Sequence, residues 1–356
     1  MILYVGSYTE IVAHDFGGHG EGIYCFDFDS SKGSLNLLHT CPAINPSYLT
    51  IPSGKYLYTL SELLWSKKPG AQAFEINQSD FSLHLISEQN IPGGCPCHIN
   101  FSKKNNCILV ACYETGNIIC YPVASDGKLM PYANVIQHVG NSVDDLRQES
   151  AHPHAVFVDE GSNSILVPDL GMDKLMIYHL DTIDNPLKEN LKQSITLPPG
   201  SGPRHIAIHP KGSFVYLVNE LTSTVMVMRY YEGQMKPVGL YETLPKQSGV
   251  TPSGGAIRIS PDGKFIYISE RGNNTVAVLR FDSNAETIEM IDRQETMGKT
   301  PRDIHFDPGG NWLLAANQDS DSIAIFKIDK NSGTIKLERL VEDIKSPVCL
   351  AWLSGQ

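Results

Sequence analysis

The chain has no surplus of positive charge: 28 Lys and Arg stand against 39 Asp and Glu, a formal net charge of −11 at pH 7. Binding along a phosphate backbone depends on a basic surface, so nucleic acid is excluded as a partner. A small anion is not, because it needs only a local cluster of Arg, Lys or His. No stretch approaches the roughly 18 uninterrupted apolar residues of a membrane span, so no membrane partner is expected. The opening MILYVGSYTE lacks the basic segment and the apolar length of a secretory signal. The cysteines at 25, 41, 95, 97, 107, 112, 120 and 349 follow no regular spacing. With 41% apolar content the chain can fold without staples, which predicts reduced, structural thiols and a cytoplasmic location. Cys95-Pro-Cys97-His98 resembles half a zinc site, but no second pair answers it at a suitable spacing, and no metal is expected.

Several catalytic signatures are missing as well. There is no Gly-x-Ser-x-Gly nucleophile elbow, no Gly-x-Gly-x-x-Gly leading from a strand into a helix, and no P-loop. No cofactor is therefore expected, and redox chemistry loses ground to acid–base work.

What the chain does have is a repeat. GPRHIAIHPKGSFVYLVNE, with two alternating apolar runs around a Pro-Lys-Gly turn, recurs as NPSYLTIPSGKYLYTLSE, as SGGAIRISPDGKFIYISERG and as TPRDIHFDPGGNWLLAANQD. Counted from the proline or its equivalent, units begin at 46, 96, 153, 203, 253, 301 and 347, close to fifty residues apart. A third alternating run follows each hairpin, and often a fourth. Four short strands at this period make a β-propeller blade. The last unit, SPVCLAWL, lacks its second strand, and ILYVGSYTE at the other end supplies it. The fold expected for residues 1–356 is thus all-β: one seven-bladed β-propeller with four antiparallel strands per blade, the last blade closed by the N- and C-terminal strands. Closure removes the exposed edge of an open array.

In such a blade the first strand lines the central channel and the second runs back beside it. Starts of first strands and ends of second strands therefore meet around one channel mouth. The starts contribute His98, His152, His154, Arg204, His205 and Arg302; the ends contribute Glu62, Tyr113, Asp169, Glu220, Glu270, Arg271 and Gln318. Taken singly, a histidine opening a strand or a carboxylate closing one often serves structure alone. Together they predict a concave cluster of titratable groups, as catalytic sites require. Histidine or glutamate can move a proton, and arginines can hold an anion or a developing oxyanion. The substrate expected is a small, activated, anionic ester.

HPH followed by VPDLGMDKLMIY, then GSGPRHIAIHPKGSFVYLVNELTSTV, IRISPDGKFIYISERG and PRDIHFDPGGNWLLAANQDSDSIAIF, resembles the lactonase family of seven-bladed propellers. That family includes propeller-type 6-phosphogluconolactonases and fungal carboxymuconate cyclases, and the resemblance covers essentially the whole chain. It implies a carboxylic ester hydrolase that opens 6-phospho-D-glucono-1,5-lactone in the pentose phosphate pathway, with the anionic lactone as partner and no cofactor. By motif it implies His154, Arg204, Glu220 and Arg271 as catalytic residues. His98, His152, Asp169, His205, Arg302 and Gln318 are the expected substrate-binding set. Two positions depart from the family's usual pattern: Glu270 stands beside Arg271, and Cys112-Tyr113 replaces an Asn-Tyr pair. A muconate-type cycloisomerase, another sugar-lactone hydrolase and a non-enzymatic binding platform stay open as alternatives. The residues leave unsettled whether His154 or Glu220 is the base, and whether the insert around NSVDDLRQES covers the mouth.

Overall fold

Alternating apolar residues in short runs punctuated by Gly and Pro give strands, and among the described residues the only helices are two short 3-10 turns, Trp65–Lys67 and Gln318–Ser320. The computed structural model describes residues 1–353 other than 181–186, 190–193, 232–233 and 246–248. Seven antiparallel sheets stand in a ring, and in the first six the strands follow chain order from the channel outward. In the fourth blade these are Pro203–Ile208, Phe214–Asn219, Thr224–Tyr231 and Gln234–Glu242. The seventh blade draws its innermost strand, Pro347–Trp352, from the C-terminal region and its second, Ile2–Ser7, from the N-terminal region. Leu3 pairs with Trp352 and Val5 with Leu350, which closes the ring.

The inner and middle strands are buried on both faces because each sheet is packed between two neighbours. An apolar cluster fills each seam. Leu166 and Ile177 meet Ile206, Leu217 and Met226 between the third and fourth blades. Leu314, Ile323 and Ile325 meet Leu3, Val5 and Leu350 across the closing seam. Each such side chain contributes about 1.5–3 kcal/mol by leaving water. The outermost strands are half exposed and carry the polar residues. Among the described residues no helix is long and apolar enough to cross a membrane.

Candidate active site

Two backbone devices, repeated from blade to blade, aim side chains at one mouth. The first is a β-bulge at the start of the innermost strand. Pro203 pairs with Asn219 and His205 with Val218, so Arg204 is an extra residue outside the ladder. The same register shift falls at Cys97, Arg302 and Val348. A bulge redirects the side chain it carries, and here it turns the residue after the proline toward the mouth. The second device is a hydrogen bond. At the end of each second strand one backbone N–H donates to the carbonyl of the residue before the proline, or before Gly254 in the fifth blade, where the register places the equivalent one residue later than 253. These residues are Tyr8, Glu62, Tyr113, Leu170, Glu220, Arg271 and Gln318, at 2.6–3.1 Å. Many of the accepting residues, Asn45, Cys95, Gly202, Thr300 and Ser346 among them, adopt positive φ to make the turn.

Members of the two rings enclose a cavity of about 400 Å³. Cys97, His154 and Arg302 come from the first, and Glu62, Tyr113, Glu220 and Arg271 from the second. Two insertions complete it: Arg147 from the connection between the second and third blades, and Val12, Ala13 and Phe16 from a small hairpin, Ile11–Ala13 with Phe16–Gly17, in the seventh.

Glu220 is the hub. Its Oε2 lies 2.6 Å from Arg271 Nη2, 3.2 Å from Arg204 Nε and 3.6 Å from His154 Nε2. Oε1 accepts a hydrogen bond from Arg147 Nη2 at 2.6 Å. The two guanidinium contacts at Oε2 are ion pairs without hydrogen-bond alignment, so this buried oxygen and Arg204 Nε keep unused hydrogen-bonding capacity. Burial works against the Glu220 charge, but the guanidiniums of Arg271, Arg147 and Arg204 outweigh it and hold the carboxyl well below its usual range. Burial and the neighbouring guanidinium of Arg204 hold His154 well below its ordinary value, so its imidazole is neutral. Burial, with repulsion from Arg271 and Arg302, pushes Arg204 down to about 9, which leaves it charged at neutral pH. Across the cavity, Glu62 accepts from Tyr8 Oη at 2.8 Å and faces Arg302 at 3.9 Å. The Arg302 guanidinium lies against the Tyr8 and Phe16 rings, 5.2 and 5.1 Å from their centroids.

A family model described as lactonase, 7-bladed beta-propeller, matches residues 2–352. The chain belongs to this lactonase family. It is 31% identical over 307 residues to the 6-phosphogluconolactonase of Bacillus subtilis, covering 85% of this chain and 84% of that one. It is 32% identical to the 6-phosphogluconolactonase of Formosa agariphila, covering 85% of each. Among solved structures, the periplasmic gluconolactonase of Pseudomonas aeruginosa superposes with a TM-score of 0.91 at 30% identity over 98% of both chains.

In this lactonase, His154, Arg204, Glu220 and Arg271 lie within one cluster, but Arg204 sits beneath Glu220, 2% exposed, and is not among the residues lining the cavity. Of the six expected substrate-binding residues, Arg302 lines it and the others do not. Asp169 occupies the register position of Asn219, one residue before the ring position, and period-2 alternation turns it into the blade seam. There it accepts from the His152 and Met172 backbone N–H groups and from His138 Nδ1 at 2.6 Å. Glu270 takes the same inward register and accepts from Ser223 and Thr243, so the added carboxylate stays out of the cavity. His152 stacks on Tyr113, with Nδ1 bonded to the Tyr113 carbonyl and Nε2 to Glu149. His98 and His205 lie deeper in the channel, packed with Tyr48 and Phe157. Gln318 donates to Asp319 outside the cavity.

Arg147 and Phe16 reach the cavity from insertions that no repeat pattern aligns. The insert sequence was the available signal for Arg147. Cys97 lies 3.9 Å from His154 Nδ1 and is held protonated by burial, which makes it a packing group.

Proposed function

We propose that the chain hydrolyses 6-phospho-D-glucono-1,5-lactone to 6-phospho-D-gluconate, the reaction that the names of two relatives suggest, and that it does so in the cytoplasmic pentose phosphate route. The supporting observation is the charge of the cavity. Three arginines and two glutamates line it, and Arg204 adds a further guanidinium beneath Glu220. Positive groups therefore exceed carboxylates by two in a protein that is strongly negative as a whole. Such a cavity suits a dianionic phosphate ester, which arginine forks match.

In the proposed mechanism the neutral imidazole of His154 is the base. It takes a proton from water as the water oxygen adds to the lactone carbonyl carbon. Glu220, 3.6 Å away and already ionised, stabilises the imidazolium that forms. Arg271 and Arg204 already face its Oε2 and Arg147 its Oε1, which leaves it less free than His154 to meet a water and makes it the weaker candidate for the base. Arg271, which lines the cavity, faces the tetrahedral oxyanion. When the intermediate collapses the ring C–O bond breaks and His154 returns the proton to the departing ring oxygen. Arg204 positions Glu220 from below, and Arg302 binds the phosphate. The ester is activated, so the catalytic demand is small.

The test is hydrolysis of the phosphorylated lactone, followed by a coupled 6-phosphogluconate dehydrogenase assay after subtracting spontaneous opening. Wild type should exceed background, and His154→Ala should lower kcat by about a hundredfold, the scale of a lost general base. A folded wild type with no rate above background refutes the reaction; His154→Ala within threefold of wild type refutes the assignment of the base.

A further inference from the structure

Arg147 differs from the other arginines of the cluster in how it is held. Arg204 and Arg302 sit on bulges and Arg271 at a strand end, and their side chains are 2%, 10% and 12% exposed. Arg147 reaches in from the connection between two blades and is 44% exposed, with its head group in the cavity. The base of that connection is fixed. Ser142 Oγ donates to Asp173, Gln148 Nε2 to the Leu170 carbonyl, and the Gln148 backbone N–H to Asp144. Any rearrangement at Arg147 is therefore one of a single side chain and not of the loop.

Glu220 does not depend on Arg147 for neutralisation. Its Oε2 already faces Arg271 and Arg204 at ion-pair distance, whereas Arg147 occupies Oε1. Arg147 has a second partner in the Tyr113 hydroxyl at 3.4 Å, beside the cavity. A surplus cation on a half-exposed stem is the group an entering anion can recruit at least cost.

We infer that Arg147 is a substrate-binding residue that exchanges its contact with Glu220 for the anionic group of the substrate, uncovering Glu220 Oε1 as the lactone seats. The exchange deepens the proposed reaction and rests on it only for the identity of the anion. It ties exposure of the hub carboxylate to arrival of a charged substrate, and it makes the enzyme discriminate against lactones without that charge.

The experiment compares wild type, Arg147→Ala and Arg147→Lys on 6-phosphogluconolactone and on unphosphorylated glucono-1,5-lactone. Calorimetric titration with 6-phosphogluconate and melting curves accompany it. Arg147→Ala should raise KM for the phosphorylated lactone about tenfold or more, the effect of a lost charge-assisted hydrogen bond. Its kcat should stay within threefold, kcat/KM on the unphosphorylated lactone should not fall, and Lys should recover part of the loss. Equal losses on both lactones, or an unchanged KM, overturn the inference. If wild type hydrolyses neither lactone, the proposed reaction fails, and the titration decides this inference alone: tenfold weaker binding of 6-phosphogluconate in Arg147→Ala upholds it, and equal binding refutes it.

Discussion

Replacing Glu220 by Gln keeps the shape of the side chain and removes the charge on which the cluster converges. Arg147, 44% exposed, can turn to water. Arg271 can do so in part and keeps its hydrogen bond to the Gly254 carbonyl at 3.0 Å. Arg204, 2% exposed, can do neither, and it is left facing Arg271 and Arg302, where burial above all, with their repulsion, already pushes it down to about 9. Removing one partner of a buried ion pair costs about 3–5 kcal/mol, and the freedom of Arg147 and Arg271 places this variant near 3 kcal/mol. Unfolding entropy of about 2.1 cal/mol/K per residue, over 356 residues, comes to about 0.75 kcal/mol/K. The variant should therefore melt about 4 °C lower. Its kcat/KM should fall by about a hundredfold, because the imidazolium of His154 loses its counter-charge. Removing both partners, as in Glu220→Gln with Arg204→Met, should restore much of the melting temperature and none of the activity. Calorimetric melts of the four proteins of this cycle decide the matter. A Glu220→Gln protein that melts with wild type, or a double variant no more stable than Glu220→Gln, would refute the account of the buried pair.

Acidification should destabilise the protein below about pH 6.5. Burial above all, with nearby cations (Arg258 at His98; Arg204 at His154 and His205), holds these three imidazoles well below their ordinary value. The unfolded chain then takes up protons that the native state refuses, at about 1.4 kcal/mol per group per pH unit. The slope of melting temperature against pH between 7 and 5 should become shallower in His205→Phe, whose ring is faced by Arg204, His98, His154 and Arg258; an unchanged slope would remove His205 from this account. Ending the chain before Pro347 should leave Ile2–Ser7 as a bare edge with Leu3 and Val5 uncovered, and the protein should be recovered as aggregate. A soluble monomer with native circular dichroism would show that ring closure is dispensable.

The propeller was legible because the same hairpin is written repeatedly with its turn residues, and because the orphan strand at Pro347 has its complement at Ile2. The meeting of Arg204 with Glu220 followed from hairpin geometry alone. One register step separates Asp169 and Glu270 from the ring of Glu220 and Arg271: they occupy the preceding position, whose side chains turn into the seams to accept hydrogen bonds, and period-2 alternation in the sequence does not mark where each strand ends. The bulge that aims Arg204 and Arg302 is a backbone irregularity with no residue signature of its own, so the sequence carries no sign that His98 and His205 lie deeper in the channel than the mouth. Arg147 and Phe16 belong to insertions outside the repeat, where no equivalent blade position predicts a direction.

The bulge has a consequence for how such a mouth can change. Because Cys97, Arg204, Arg302 and Val348 stand outside the ladder, the hydrogen bonds that hold each blade do not pass through them. The neighbouring ring is fixed by backbone N–H groups that every amino acid except proline possesses. The backbone pairing of each blade is therefore independent of which side chain stands at the mouth. An ion pair could be relocated by a seventh of a turn, from the blade of Arg204 and Glu220 to that of Gly255 and Arg271, by exchanging residues at matching positions. For inherited change this makes the mouth a dial of interchangeable settings, with the frame behind it left intact.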